Sequence, residues 1–128
     1  MTTVLVADDD ADIRDLVAFK LEQAGYRVVA VADGVQALDA VRADLPDLAV
    51  LDLMMPGLSG LDVCAEIRRD AASAHLPVIM LTARVQEQDV ALGFATGADD
   101  YVTKPFSPRE LLSRVQAVLA RAAASSGS

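Results

Sequence analysis

The chain holds one cysteine, Cys64, so it forms no internal disulfide, and such usage suits a reducing compartment. It also lacks a basic excess: 11 Lys and Arg stand against 19 Asp and Glu, a formal charge of −8. Binding a phosphate backbone needs a basic face, so direct nucleic acid binding by this domain is not expected. A divalent cation or a basic protein surface suits the charge better. No apolar run reaches the length of a membrane span, and the opening MTTVLVADDD has no basic n-region or apolar h-region of a signal peptide. A cytoplasmic protein without a membrane partner is expected. Lysine is scarce as well, two against nine Arg.

What is present is apolar. Over 128 residues, 53% are hydrophobic and 23% charged, which describes a globular domain long enough to bury a core rather than a disordered chain. Two periodicities alternate along it. Strand-like runs occur at TVLVA (3–7), RVVAVA (27–32), LAVLDL (48–53), PVIMLT (77–82) and DYVT (100–103). Helical spacing connects Ile13, Leu16, Val17 and Leu21, with Gly25 closing that helix as a C′ residue. It recurs at Val35, Leu38 and Val41, at Leu61, Cys64 and Ile67, and at Leu111, Leu112, Val115, Val118 and Leu119. A weaker stripe, Val90 and Phe94, marks a fourth helix around 86–96, which makes the last one the fifth. Residues 1–122 read as one domain and 123–128 as a flexible tail or linker stub.

Strands alternating with helices predict an α/β fold, a doubly wound five-stranded parallel sheet with helices on both faces. Continuous apolar strands such as LAVL and PVIML fit burial from both sides. Parallel strands end on one rim, where ligands bind in such sheets. The first strand delivers Asp8 and Asp9 to that rim, the third Asp52, the fourth Thr82 and the fifth Lys104. Hard carboxylate oxygens of this kind suit Mg²⁺, which keeps several waters and completes its shell with phosphate. A carboxylate can itself take a phosphoryl group, and cations around the equatorial oxygens then carry the transfer. At 104 the chain uses a compact ammonium where it elsewhere prefers the planar guanidinium.

The motifs VLVADDD, LDLMMPGLSGLD, LTA and GADDYVTKPF, in this order and spacing, resemble the receiver domain of two-component response regulators over about residues 3–121. The resemblance implies strand order 2-1-3-4-5. It implies a phosphorylation-activated switch, not an enzyme with a turned-over substrate, in which Asp52 accepts the phosphoryl group from a sensor histidine kinase or phosphotransfer protein. It implies Mg²⁺ held by Asp9 directly, by Asp8 through water, by Asp52 and by the Met54 carbonyl. Thr82 and Lys104 match the residues that contact the phosphoryl oxygens, Tyr101 the aromatic that moves with the threonine, and Lys104–Pro105 a peptide bond that is usually cis. The stretch FATGADDYVTKPFSPRELLSRV is similar to receivers that carry a DNA-binding effector domain and form a homodimer through the fourth helix, fifth strand and fifth helix. There Asp100, Glu110 and Arg114 match intersubunit ion pairs, while Val90 and Gln116 replace an expected Arg and Lys.

Plainer roles compete at each position. Asp10 is expected to cap the first helix, whereas one cap does not need three acids. Thr82 alone would be an ordinary strand residue and Lys104 an ordinary surface cation. Cys64 is expected in the core, His75 on an exposed loop, and Met54 and Met55 as loop filling. Two other functions remain open: a Mg²⁺-dependent phosphohydrolase with an aspartate nucleophile, and a degenerate receiver that only binds partners.

Overall fold

The computed structural model describes residues 1–82 and 97–126. Its strands are β1 (Thr3–Ala7), β2 (Arg27–Val31), β3 (Leu48–Asp52), β4 (Val78–Thr82) and β5 (Asp100–Thr103). All pair in parallel, in the order β2-β1-β3-β4-β5. The helices are α1 (Ala11–Gln23), α2 (Gly34–Ala43), α3 (Gly60–Arg69) and α4 (Pro108–Ser126), the last being the element expected as the fifth helix. The helix expected around 86–96 lies outside the described residues.

Alternation along each strand divides the core into two layers. Val4, Val6, Leu48, Val50, Ile79 and Leu81 pack with Val17 and Leu21 of α1 and Leu111, Val115 and Val118 of α4. Their neighbours Leu5, Ala7, Ala49, Leu51, Val78 and Met80 pack with α2 and α3, where Cys64 is fully buried. The two-residue period of a strand therefore places every apolar residue of β3 in one layer or the other, so the strand has no polar side.

Local chemistry sets the helix ends. Asp10 Oδ1 accepts from the N–H groups of Asp12 (3.0 Å) and Ile13 (3.2 Å), capping α1 as expected. Gly25 follows the C-cap Ala24 with φ +98°, a conformation that side-chain-bearing residues rarely adopt. Asp33 caps α2, and Ser59 with Asp62 forms a reciprocal capping box on α3.

Three details differ from the sequence reading. Leu16 is 50% exposed and Val35 54% exposed, although both belong to predicted apolar stripes. Each lies one position from the packed line, Leu16 beside buried Val17 and Val35 beside buried Gly34. One residue turns a side chain about 100° round a helix, enough to leave the core face. Residues 123–126, expected as tail, continue α4, in keeping with the high helix propensity of alanine in RAAASS.

Candidate functional site

The strand order sets β1 beside β3, with Ala7 opposite Leu51, so the residues that leave both strands meet on the rim. Asp8 and Asp52 are buried there and Asp9 is exposed, and one carboxylate oxygen from each lies within 4.8 Å of the others. On the far side of β3, β4 pairs with β5, and the Lys104 N–H donates to the Thr82 carbonyl at 2.6 Å. That bond carries the lysine over the carboxylates. Lys104 Nζ is 3.0 Å from Asp8 Oδ2 and 3.4 Å from Asp52 Oδ1.

One ammonium does not balance three carboxylates. Burial, followed by repulsion from Asp8, pushes the Asp52 carboxyl from 3.8 up to about 7, against the opposing pull of Lys104 and the Met54 N–H. The Met54 N–H donates to Asp52 Oδ1 at 3.3 Å. Lys104 is also raised: burial works against its charge, and attraction to Asp8 and Asp52 more than offsets that. Asp8 is held closely. Its N–H donates to the Val31 carbonyl (3.2 Å), its carbonyl accepts from Arg14 Nη1 (2.9 Å), and its Oδ1 accepts from the Asp10 N–H (2.9 Å). Its buried Oδ2 faces the Lys104 ammonium without an aligned hydrogen bond. A buried oxygen in that condition, among hard oxygen donors with excess negative charge, fits a small divalent cation such as Mg²⁺.

The remaining sequence candidates fall around this cluster. Thr82 is buried at the end of β4, one residue past the Leu81 that pairs with Asp52. Tyr101 is half-buried and packs against the α2–α3 layer, and the Lys104–Pro105 peptide bond is cis. Met54 is 72% exposed, whereas Met55 is buried in the core. Asp100 pairs with Arg114 inside the chain at 3.3 Å, Glu110 and Gln116 are exposed on α4, and Val90 lies outside the described residues. His75 is exposed at the opposite end of the sheet, where with Asp47, Asp99 and Leu119 it lines a cavity of about 1100 Å³. None of the rim residues borders that cavity.

Two contributors escape a reading of motifs. Gly60 begins α3 so near the rim that a Cβ there would lie 2.5 Å from the Asp52 carbonyl oxygen and 2.8 Å from Met80 Sδ. Only glycine lets the helix approach that closely, and the Ser-Gly pair at a helix start was the available signal. Arg14, bonded to the Asp8 carbonyl, carries no signal in its spacing.

The chain is similar in sequence and fold to known proteins. The family model for the response regulator receiver domain matches residues 4–116. The DNA-binding response regulator MtrA of Mycobacterium tuberculosis is 48% identical over 118 residues, covering 92% of this chain and 50% of that protein. The phosphate regulon transcriptional regulatory protein PhoB of Escherichia coli is 46% identical over 118 residues, covering 92% of this chain and 52% of its own length. The chain thus spans about half the length of the curated relatives it matches. Among solved structures, the chemotaxis response regulator CheY4 of Vibrio cholerae superposes with TM-score 0.88 at 34% identity, covering 92% of this chain and 98% of that one. The receiver domain of the Francisella response regulator 1452 gives TM-score 0.88 at 36% identity, with 94% and 98% covered.

Proposed function

Because this chain belongs to the family of response regulator receiver domains, we propose that it is a phosphorylation-activated switch that accepts a phosphoryl group on Asp52 from a histidine kinase or phosphotransfer protein. The observation that carries this is the buried Asp52 carboxylate, within reach of Lys104 on one side and of the Asp8 and Asp9 carboxylates on the other. In the transfer, the P–N bond of a phosphohistidine breaks and a P–O bond to an Asp52 carboxylate oxygen forms, while the imidazole keeps the electron pair and later takes a proton. Asp8, Asp9, Asp52 and the Met54 carbonyl would hold Mg²⁺, which supplies positive charge against the phosphoryl oxygens. Lys104 supplies a second positive charge there, and Thr82 offers a hydroxyl donor at the neighbouring strand end.

The phosphoryl group adds charge and acceptor oxygens next to Thr82 and Lys104. Drawing these toward it shifts the population of arrangements open to Tyr101 and to the face built by β5 and α4. An effector domain or a downstream protein reads that face. Treatment with acetyl phosphate, followed by intact-mass measurement, tests the acceptor: one phosphoryl group per chain with Mg²⁺ and almost none without it is expected. Continuous turnover of a generic phosphoester would instead make the protein a phosphohydrolase, and no uptake at all would leave it a binding module.

We further propose a phosphorylation-dependent homodimer through the same face. The Asp100–Arg114 pair bridges β5 and α4 within one chain and would have to be shared or exchanged in the dimer. Sedimentation with and without a bound phosphoryl analogue measures it; an unchanged monomer profile would remove the dimer and leave the acceptor chemistry intact.

A further inference from the structure

Arg14 stands one turn into α1 among Asp9, Asp10, Asp12 and Asp15, yet among the described residues it pairs with no carboxylate. Its Nη1–H donates instead to the Asp8 carbonyl at 2.9 Å, and its backbone N–H donates to the Asp10 carbonyl, also at 2.9 Å. The backbone bond is the ordinary first bond of the helix, so it is the side chain that ties α1 back to the end of β1, across Asp9. We propose that Arg14 is a positioning residue that aims Asp8 and Asp9 at a divalent cation. The inference rests on the metal-dependent acceptor proposed above.

The physical reason is the planarity of the peptide bond. The Asp8 carbonyl and the Asp9 N–H belong to one rigid plane, so fixing that oxygen fixes the direction in which the Asp9 backbone leaves the strand. Of the other polar groups of Asp8, the N–H and Oδ1 are engaged by Val31 and Asp10, and Oδ2 faces the Lys104 ammonium. Asp9 is exposed and its carboxylate lies beside that of Asp52, so the direction of its backbone sets how the two carboxylates face a shared cation. A part-buried carbonyl also needs a donor, and the guanidinium supplies one in fixed geometry. Groups that orient metal ligands in this way are worth about 10–100-fold in metal affinity.

The sign of the effect separates this role from a simple charge effect. A guanidinium beside an acidic site repels a cation, so as a charge alone Arg14 would weaken Mg²⁺ binding and its removal would tighten it. As a clamp, its removal weakens binding. The experiment is calorimetric titration of the protein with Mg²⁺ alone, for the wild type, Arg14→Ala, Arg14→Met and Arg14→Lys, with cation-free melting curves beside each. Arg14→Met keeps an unbranched apolar side chain in place of the stem, and so decides the matter if Arg14→Ala does not fold. We expect the Mg²⁺ dissociation constant to rise about tenfold in the Ala and Met variants. The cation-free melting temperature should stay near that of the wild type, and Arg14→Lys should recover part of the affinity. An unchanged or tighter dissociation constant in Arg14→Met, with the wild type binding normally, would overturn the role of Arg14. Absence of Mg²⁺ binding in the wild type would instead overturn the metal-dependent acceptor itself.

Discussion

Asp52→Asn is expected to abolish phosphoryl uptake from acetyl phosphate and, in the same protein without cations, to raise the melting temperature at about pH 8. The first effect follows from chemistry, since an amide offers no anionic oxygen to phosphorus. The second follows from the position of Asp52, buried beside Asp8, where its carboxyl is raised from 3.8 to about 7. A carboxyl raised on folding contributes stability that is fully present below its unfolded pKa and is lost as pH rises through the folded one. The cation-free wild type therefore loses stability between about pH 4 and pH 7, and stays at the lower level above that. The displacement sets a ceiling of about 4 kcal/mol, and relaxation of the site reduces it. Lys104, raised from an already high value, stays charged throughout this window and does not alter the sign. Urea unfolding of both proteins at about pH 5 and about pH 8 checks the claim: the variant should gain on the wild type only at the higher pH. A variant that still takes up a phosphoryl group would move the acceptor elsewhere, and equal stability at both values would mean that Asp52 is not strained by its burial.

Much of this site was legible because one rule carries it. Continuous apolar strands alternating with helices imply a parallel sheet, and a parallel sheet gathers the residues that follow its strands on one rim. Asp8, Asp9, Asp52, Thr82 and Lys104 could be placed there before any coordinate, and Asp10 could be separated from its neighbours as a helix cap. Side chains on helices were less legible. Leu16 and Val35 fit the periodicity and are exposed, because an apolar stripe does not say where its edge falls. Position 60 was opaque in another way: its meaning lies in the distance from a helix backbone to the Asp52 carbonyl, a tertiary quantity. Arg14 was opaque for the same reason, since a side chain that folds back onto a carbonyl six residues earlier has no characteristic spacing. The pairing of Asp100 with Arg114 inside the chain was not legible either, because a separation of 14 residues does not say which carboxylate a surface guanidinium meets.

Mg²⁺ is expected to raise the melting temperature strongly at about pH 8 and weakly at about pH 5, and Asp9→Ala to remove the response at both. At a free concentration near one hundred times the dissociation constant, binding to the folded state alone stabilises by about 2.7 kcal/mol. For a domain of this size that corresponds to a rise of roughly 10 °C. The pH dependence arises because the cation and a proton compete for the same carboxylate. Below about pH 7 Asp52 holds a proton that must leave before the oxygen can serve a metal, and metal affinity falls accordingly. Asp9 is the informative position because it is exposed, whereas Asp8 is buried, engages Lys104 and anchors the turn. Removing Asp9 takes away one carboxylate of the proposed metal cluster and leaves the core alone, so the cation-free melting temperature should change little. Removing Asp8 would confound the two effects, since it also takes one of the two carboxylates that face the part-buried Lys104 ammonium. Thermal melts across a Mg²⁺ series at two pH values decide between the cases. A response that survives Asp9→Ala would place the cation elsewhere. One of equal size at both pH values would mean that Asp52 does not contribute to holding it. The pattern expected here ties the crowding of acids at the end of β1 to a single cause: the folded domain tolerates their repulsion because a cation, a proton or the Lys104 ammonium always offsets part of it.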